Sequence, residues 1–238
     1  MYGTRARIGY TSPPAVTETF PYEFYKMVPE GVTLAITTLN IVKMTDDEVE
    51  EGAKMSLDCA RLLSKAEVDL IILGGVPLNL ALGFKNLDNI MKKLEDELGI
   101  PVTSSLTSQV AALKTVGAQR VGVAQPFETD HDIYSEYLQY YGFDVAGQLG
   151  AGLTVLDLAT TNAQTAKGLA NQIFKQSKNL DTLYFPAPHW GIIEIIEELE
   201  NEHGVDVVSS VQAIIWNALR KTGVKEPITG YGRLLREF

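Results

Sequence analysis

The chain has 238 residues and carries 20 Lys and Arg against 30 Asp and Glu, a formal net charge of −10. That acidic balance, with no basic cluster, excludes nucleic acid as a partner, because phosphate backbones are held by grouped Lys and Arg. No apolar run approaches the roughly 18 residues that a membrane-crossing helix needs, and a single Cys excludes an intrachain disulfide or a multi-cysteine metal site.

Read in chain order, the start from Met1 to Tyr10 has basic residues but runs into Thr11-Ser12-Pro13-Pro14. An apolar stretch and cleavage site are missing there, so a cytoplasmic protein is expected. Short apolar runs then alternate with longer amphipathic stretches, the pattern of βαβ units on a parallel sheet. Strands are predicted near 7–10, 33–38, 70–73, 102–103, 121–124, 144–148, 182–185 and 207–208. Helices are predicted near 46–65, 87–98, 105–115, 130–140, 163–177, 192–203 and 211–222. Thr45 with Glu48 has the spacing of a capping box. Gly99 and Gly204 stand where helix C-caps favour a left-handed residue.

The chain also contains a repeat. Lys93-Leu-Glu-Asp-Glu-Leu-Gly-Ile-Pro-Val-Thr-Ser-Ser-Leu106 returns as Glu198-Leu-Glu-Asn-Glu-His-Gly-Val-Asp-Val-Val-Ser-Ser-Val211. Each copy follows an Asp-led apolar strand, Asp69–Leu73 or Asp181–Phe185, and precedes an apolar helix that ends in a Gly. Two such modules imply two similar half-domains related by a pseudo-twofold axis. Ligands of open α/β sheets bind beyond the carboxyl ends of the strands. The matched turns Gly74-Gly75-Val76-Pro77 and Pro186-Ala187-Pro188-His189 are therefore expected to face one cleft.

Several of these segments together resemble the aspartate/glutamate racemase superfamily, in its arylmalonate decarboxylase and maleate isomerase branch. They are Arg7-Ile-Gly-Tyr-Thr-Ser-Pro-Pro-Ala15, Leu70-Ile-Ile-Leu-Gly-Gly-Val-Pro-Leu78, Arg120-Val-Gly-Val-Ala-Gln-Pro-Phe127 and Gly204-Val-Asp-Val-Val-Ser-Ser210 with Trp216 beyond. The resemblance implies an α/β fold of two lobes, each a four-stranded parallel sheet flanked by helices, with the active site between them. The first lobe would comprise 1–115 with 211–238, and the second 116–210. It also implies a cofactor-independent lyase or isomerase for a small carboxylic or dicarboxylic acid. The family's two catalytic cysteine positions fall on Gly75 and Ala187, so both thiols are missing. Cys59 lies mid-helix, far in sequence from either turn.

Without thiols, backbone N–H groups of Gly74 and Gly75 could cradle a carboxylate or a developing enolate, or the segment could be a plain tight turn. His189, two residues past the lost second cysteine, could carry protons, or stack on Trp190. Ser12, Pro13 and Pro14 resemble the family's wall beside the substrate. Phe127, after Pro126, stands near a site position where the family has Tyr, and Asn40 is a further polar candidate. His131 and His203 read as helix-end residues. No compact metal-ligand spacing occurs, and Gly147–Gly152 does not match a dinucleotide fingerprint. Neither metal nor cofactor is expected. A non-catalytic binder of small carboxylates remains the alternative, and self-association is left open.

Overall fold

The computed structural model describes residues 2–128 and 133–238. It contains two four-stranded parallel sheets flanked by helices. The first sheet holds β1 (Ala6–Pro14), β2 (Val32–Ile41), β3 (Leu70–Leu73) and β4 (Val102–Ser104) in the order β2-β1-β3-β4. The second holds β5 (Arg120–Gln125), β6 (Asp144–Gly150), β7 (Thr182–Phe185) and β8 (Asp206–Ser209) in the order β6-β5-β7-β8. The two orders are the same once the second set is renumbered, as the repeat predicts. Strand pairs such as Tyr10 with Ile72 and Val123 with Tyr184 run parallel, and β3 and β7 are buried along their whole length, as sheets covered on both faces require.

The helices are α1 (Thr19–Met27), α2 (Asp46–Ser64), α3 (Val76–Ala81), α4 (Leu87–Leu98), α5 (Ser105–Val116), α6 (Ile133–Tyr140), α7 (Ala163–Gln176), α8 (Ile196–His203), α9 (Ser210–Lys221) and α10 (Arg233–Glu237). The duplicated Ser-Ser pairs do the same work twice. Ser104 Oγ accepts the Thr107 N–H at 3.1 Å to start α5, and Ser209 Oγ accepts the Gln212 N–H at 3.2 Å to start α9. Gly99 and Gly204 close α4 and α8 with the same left-handed φ of 67°. The Asp before each third strand also repeats its role. Asp69 Oδ2 accepts the Arg7 N–H at 2.7 Å, and Asp181 Oδ2 accepts the Arg120 N–H at 2.8 Å, pinning the start of the central strand in each sheet.

One continuous apolar core runs through both sheets, from Ala6 in β1 to Leu235 in α10. The elements following the two sheets are also tied by buried polar groups. Asn217 Nδ2 on α9 donates to Thr103 Oγ1 at 3.1 Å and Ser108 Oγ at 2.8 Å. The Tyr184 hydroxyl on β7 donates to Gln109 Oε1 on α5 and lies 2.7 Å from the Tyr137 hydroxyl.

Some local expectations needed correction. α1 is absent from the sequence reading, since Pro21 and a run of aromatics mask it. Pro21 falls in the first helical turn, where its missing N–H has no intrahelical partner to lose. Phe20, Glu23, Phe24 and Met27 then form the buried stripe. Thr45 caps α2 as expected, but Glu48 does not reach back to it. Its Oε2 instead accepts N–H groups from Val42, Lys43 and Met44 at 2.8–3.2 Å, gathering the preceding turn. The helix expected from 192 opens as a 3-10 turn at Ile193–Ile195 before α8. The start of the helix expected at 130–140, with His131, lies outside the described residues.

Ser104→Ala and Ser209→Ala should each lower stability by about 1 kcal/mol, the usual loss for a capping hydroxyl, in urea denaturation. A loss at one site only would mean that the two modules are not energetically equivalent.

Candidate functional site

The carboxyl ends of β1, β3 and β7 deliver three turns to one small cavity of about 40 Å³. Pro13 and Pro14 end β1; Gly75, Val76 and Pro77 lead from β3 into α3; Pro186, Ala187, Pro188 and His189 follow β7. Phe127, after β5, completes the set. The structure thus brings together ten of the sequence-predicted residues from both lobes. Met44, Leu78, Tyr134, Val155 and Leu158 also line the cavity. Their sequence surroundings carry only the apolar spacing of ordinary core residues, so no signal distinguished them.

Four expected residues stand elsewhere. Asn40 is exposed at the end of β2, with a left-handed φ of 59°. Pro126 is buried behind the wall, its carbonyl accepting the Leu153 N–H at 2.8 Å. Ser12 lies beneath the surface and meets His189 rather than the cavity. Gly74 is also set back. A Cβ there would fall 1.9 Å from the Thr11 carbonyl oxygen, so only glycine lets the turn after β3 press against β1.

The expected cradle of N–H donors is not formed by the two glycines. Gly74 N–H donates to Thr11 Oγ1 at 3.0 Å, and Gly75 N–H to Ser105 Oγ at 3.1 Å. Both donors are spent on holding the turn. Gly75 itself has φ 79°, and a Cβ there would meet Pro13 Cγ at 2.5 Å, so this turn has no room for a side chain. The second turn differs. Pro186 and Pro188 have no N–H, and Ser210 Oγ, the counterpart of Ser105, has no hydrogen-bond partner among the described residues.

His189 is the polar centre of the site. It is 3% exposed, and Nε2 lies 3.2 Å from Ser12 Oγ. The ring sits beside Phe20 and Tyr10, with centroids 5.9 and 6.3 Å away, while Trp190 packs on Phe185 instead. Nδ1 has no partner among the described residues. Burial without a counter-charge pushes the imidazole down from 6.5 to about 3, so it is neutral at physiological pH. Burial raises the Tyr134 phenol. No Lys or Arg lines the cavity. Among the described residues the walls are therefore largely apolar, with the uncharged His189 ring able to donate or accept.

His203 is structural: it stacks on Phe174 at 3.8 Å and bonds Asn171 Oδ1 at 2.8 Å. Cys59 on α2 packs beside Leu39, Ala53 and Leu78. Among the described residues, no three His, Cys, Asp or Glu side chains converge to hold a metal, and no helix is long and apolar enough to cross a membrane.

Comparison with known proteins bears on this geometry. A family model described as arylmalonate decarboxylase matches residues 8–235. Arylmalonate decarboxylase from Bordetella bronchiseptica is 25% identical over 233 residues, 97% of this chain and 96% of its own. A crystal structure of arylmalonate decarboxylase matches with a TM-score of 0.83 at 25% identity, covering 96% of this chain and 98% of the other. Maleate isomerase Iso from Pseudomonas putida S16 matches with a TM-score of 0.86 at 19% identity, covering 98% of each, a likeness of fold alone.

The buried imidazole has a measurable signature. The unfolded chain binds a proton near pH 6.5 and the folded chain only near 3, so stability from this group is full above 6.5 and falls as pH drops through that window. The effect should be on the order of a few kcal/mol. Urea titrations at several pH values should show the slope in the parent protein and a flatter one in His189→Gln. Identical slopes would place the imidazole in water.

Proposed function

Because the chain belongs to the arylmalonate decarboxylase family, we propose that it is a cofactor-independent enzyme for a small carboxylic acid, a decarboxylase or an isomerase. Its cavity would be the one walled by Pro13, Gly75, Ala187 and His189. The observation that carries this reading is the neutral His189 imidazole, its Nδ1 unpartnered among the described residues, in an apolar cavity where turns from both lobes converge. The 25% identical relative named above is a decarboxylase, which supports an enzyme of this class.

An apolar wall disfavours an anion, and decarboxylation followed by protonation of the α-carbon removes one charge from it. In that step the bond between the α-carbon and the carboxyl carbon breaks, and its electron pair stays on the α-carbon. A proton must then be delivered. His189 is too weak a base to hold one in the protein alone, but a carboxylate beside it favours the imidazolium. The acid thus brings its proton donor into being: entry of the anion protonates His189, and His189 returns that proton to the α-carbon. Ser12 keeps the ring aimed through Nε2. Gly75 and Ala187 carry no thiol, so this reading makes no use of cysteine at those positions, and a Cβ at Gly75 would press on Pro13 Cγ.

A second reading, a carboxylate binder without turnover, is favoured by one observation. Neither titratable side chain in the lining, His189 or Tyr134, is near its working range at neutral pH in the protein alone.

Phenylmalonate and maleate are suitable probes. Calorimetry near pH 7 should show proton uptake on binding and tighter binding as pH falls. Carbon-13 NMR should show product, and His189→Gln should lower kcat/KM at least about 100-fold, the usual contribution of a positioned acid or base. Undiminished turnover in that variant removes the imidazole from the mechanism. Saturable, proton-linked binding with no product from any acid selects the second reading.

A further inference from the structure

Most residues around the acid cavity are buried, but Met44, Pro77, Phe127 and Ala187 are half-buried and stand at its mouth. Pro77 opens a helix, and Phe127 and Ala187 each lie two residues beyond a strand. Met44 has no such backing. It lies on a short turn, 42–44, between the end of β2 at Ile41 and Thr45, the N-cap of α2. Both ends of that turn are fixed: the Ile41 carbonyl accepts the Ala15 N–H at 2.9 Å, and Thr45 Oγ1 accepts the Glu48 N–H at 3.3 Å. Met44 itself has φ 57°, a left-handed conformation that costs a residue with a Cβ about 1–2 kcal/mol. Such a conformation persists only where the surroundings hold it. Three N–H groups of the turn, from Val42, Lys43 and Met44, converge on Glu48 Oε2 at 3.2, 2.8 and 2.9 Å.

We propose that Glu48, which does not line the cavity, is a positioning residue for it: its side chain holds Met44 in the wall and so sets which acids fit. The inference rests on the reading of this cavity as an acid site. A methionine side chain has three rotatable bonds and adapts to what it meets, so its share of the wall is only as firm as the backbone beneath it. Three bonds to one carboxylate oxygen supply that firmness, because a charged acceptor strengthens each of them. The same bonds, that from the Lys43 N–H foremost, hold the Glu48 carboxyl below the usual carboxylate range, so the acceptor is charged at neutral pH. Glu48 also stands in the first turn of α2, where any negative charge favours the helix dipole. The two roles ask for different things. The dipole needs only charge, whereas the turn needs an oxygen at the right reach.

Three substitutions separate them: E48A removes both, E48D keeps the charge but shortens the reach, and E48Q keeps an oxygen at the same reach without the charge. With the methionine methyls labelled with carbon-13, the Met44 resonance is identified as the one missing from M44A. In E48A and E48D it should move toward the position of free methionine, and in E48Q it should stay closer to the parent. Calorimetry with propanoate and phenylmalonate should show the affinity ratio shifting toward the larger acid by about fivefold or more in E48A. Adding E48A to M44A should change the ratio no further, since both act through one side chain. If E48A does not fold, E48D takes its place in each measurement. An unmoved Met44 resonance, E48D matching the parent while E48Q behaves as E48A, or additive effects of E48A and M44A would each overturn the proposal. Binding of neither acid by the parent protein would instead sink the acid reading of the cavity, and the methyl resonance would still decide whether Glu48 fixes Met44.

Discussion

The cleft depends on α5 and α9 lying against one another. Each helix begins at the second serine of a duplicated Ser-Ser pair, and each grows from the last strand of its own sheet. Asn217 of α9 reaches across to Thr103 and Ser108, so the contact is specified by hydrogen bonds as well as by apolar packing. Because both helices leave equivalent strand ends, fixing one against the other also fixes the turns after β3 and β7. The apolar core passes through this junction without interruption, so neither sheet can shift without disturbing packing on both sides.

Much of this arrangement was legible in the residues. The offset copies of strand, acidic helix, Gly and Ser-Ser gave the two sheets and the pairing of their turns, because caps and C-caps are local and read directly. Residues whose role depends on distant partners were not legible. Gly74 and Gly75 looked like free anion donors, but Thr11 and Ser105 take their N–H groups across 63 and 30 residues of chain. Asn40 followed a strand and was polar, yet β2 is the edge of its sheet and carries it out to solvent. α1 was hidden by a proline whose placement in the first turn makes it harmless. Tyr134 and Leu158 reach the cavity although neither was singled out in the sequence.

The electrostatic character of the acid cavity follows from what its turns are made of. Five of its lining residues are proline, which offers neither a charge nor an N–H. Among the described residues no lysine or arginine lines it, and the depth of His189 leaves its imidazole uncharged. Glu23, behind the same loop, is displaced in the opposite direction by the same physical cause. Desolvation thus leaves two groups on neighbouring segments in their neutral forms.

The unequal serines carry a consequence for how this protein can change. Ser105 is bound to the glycine turn, where any side chain would force Pro13 or Thr11 to move, whereas Ser210 has no partner among the described residues behind a turn that already holds a methyl group at Ala187. Duplication supplied two workbenches, and only one has been bolted down. The second half, at Ala187 and the Ser210 hydroxyl, is thus where a substitution meets the least resistance, while the first half is anchored by its glycine turn.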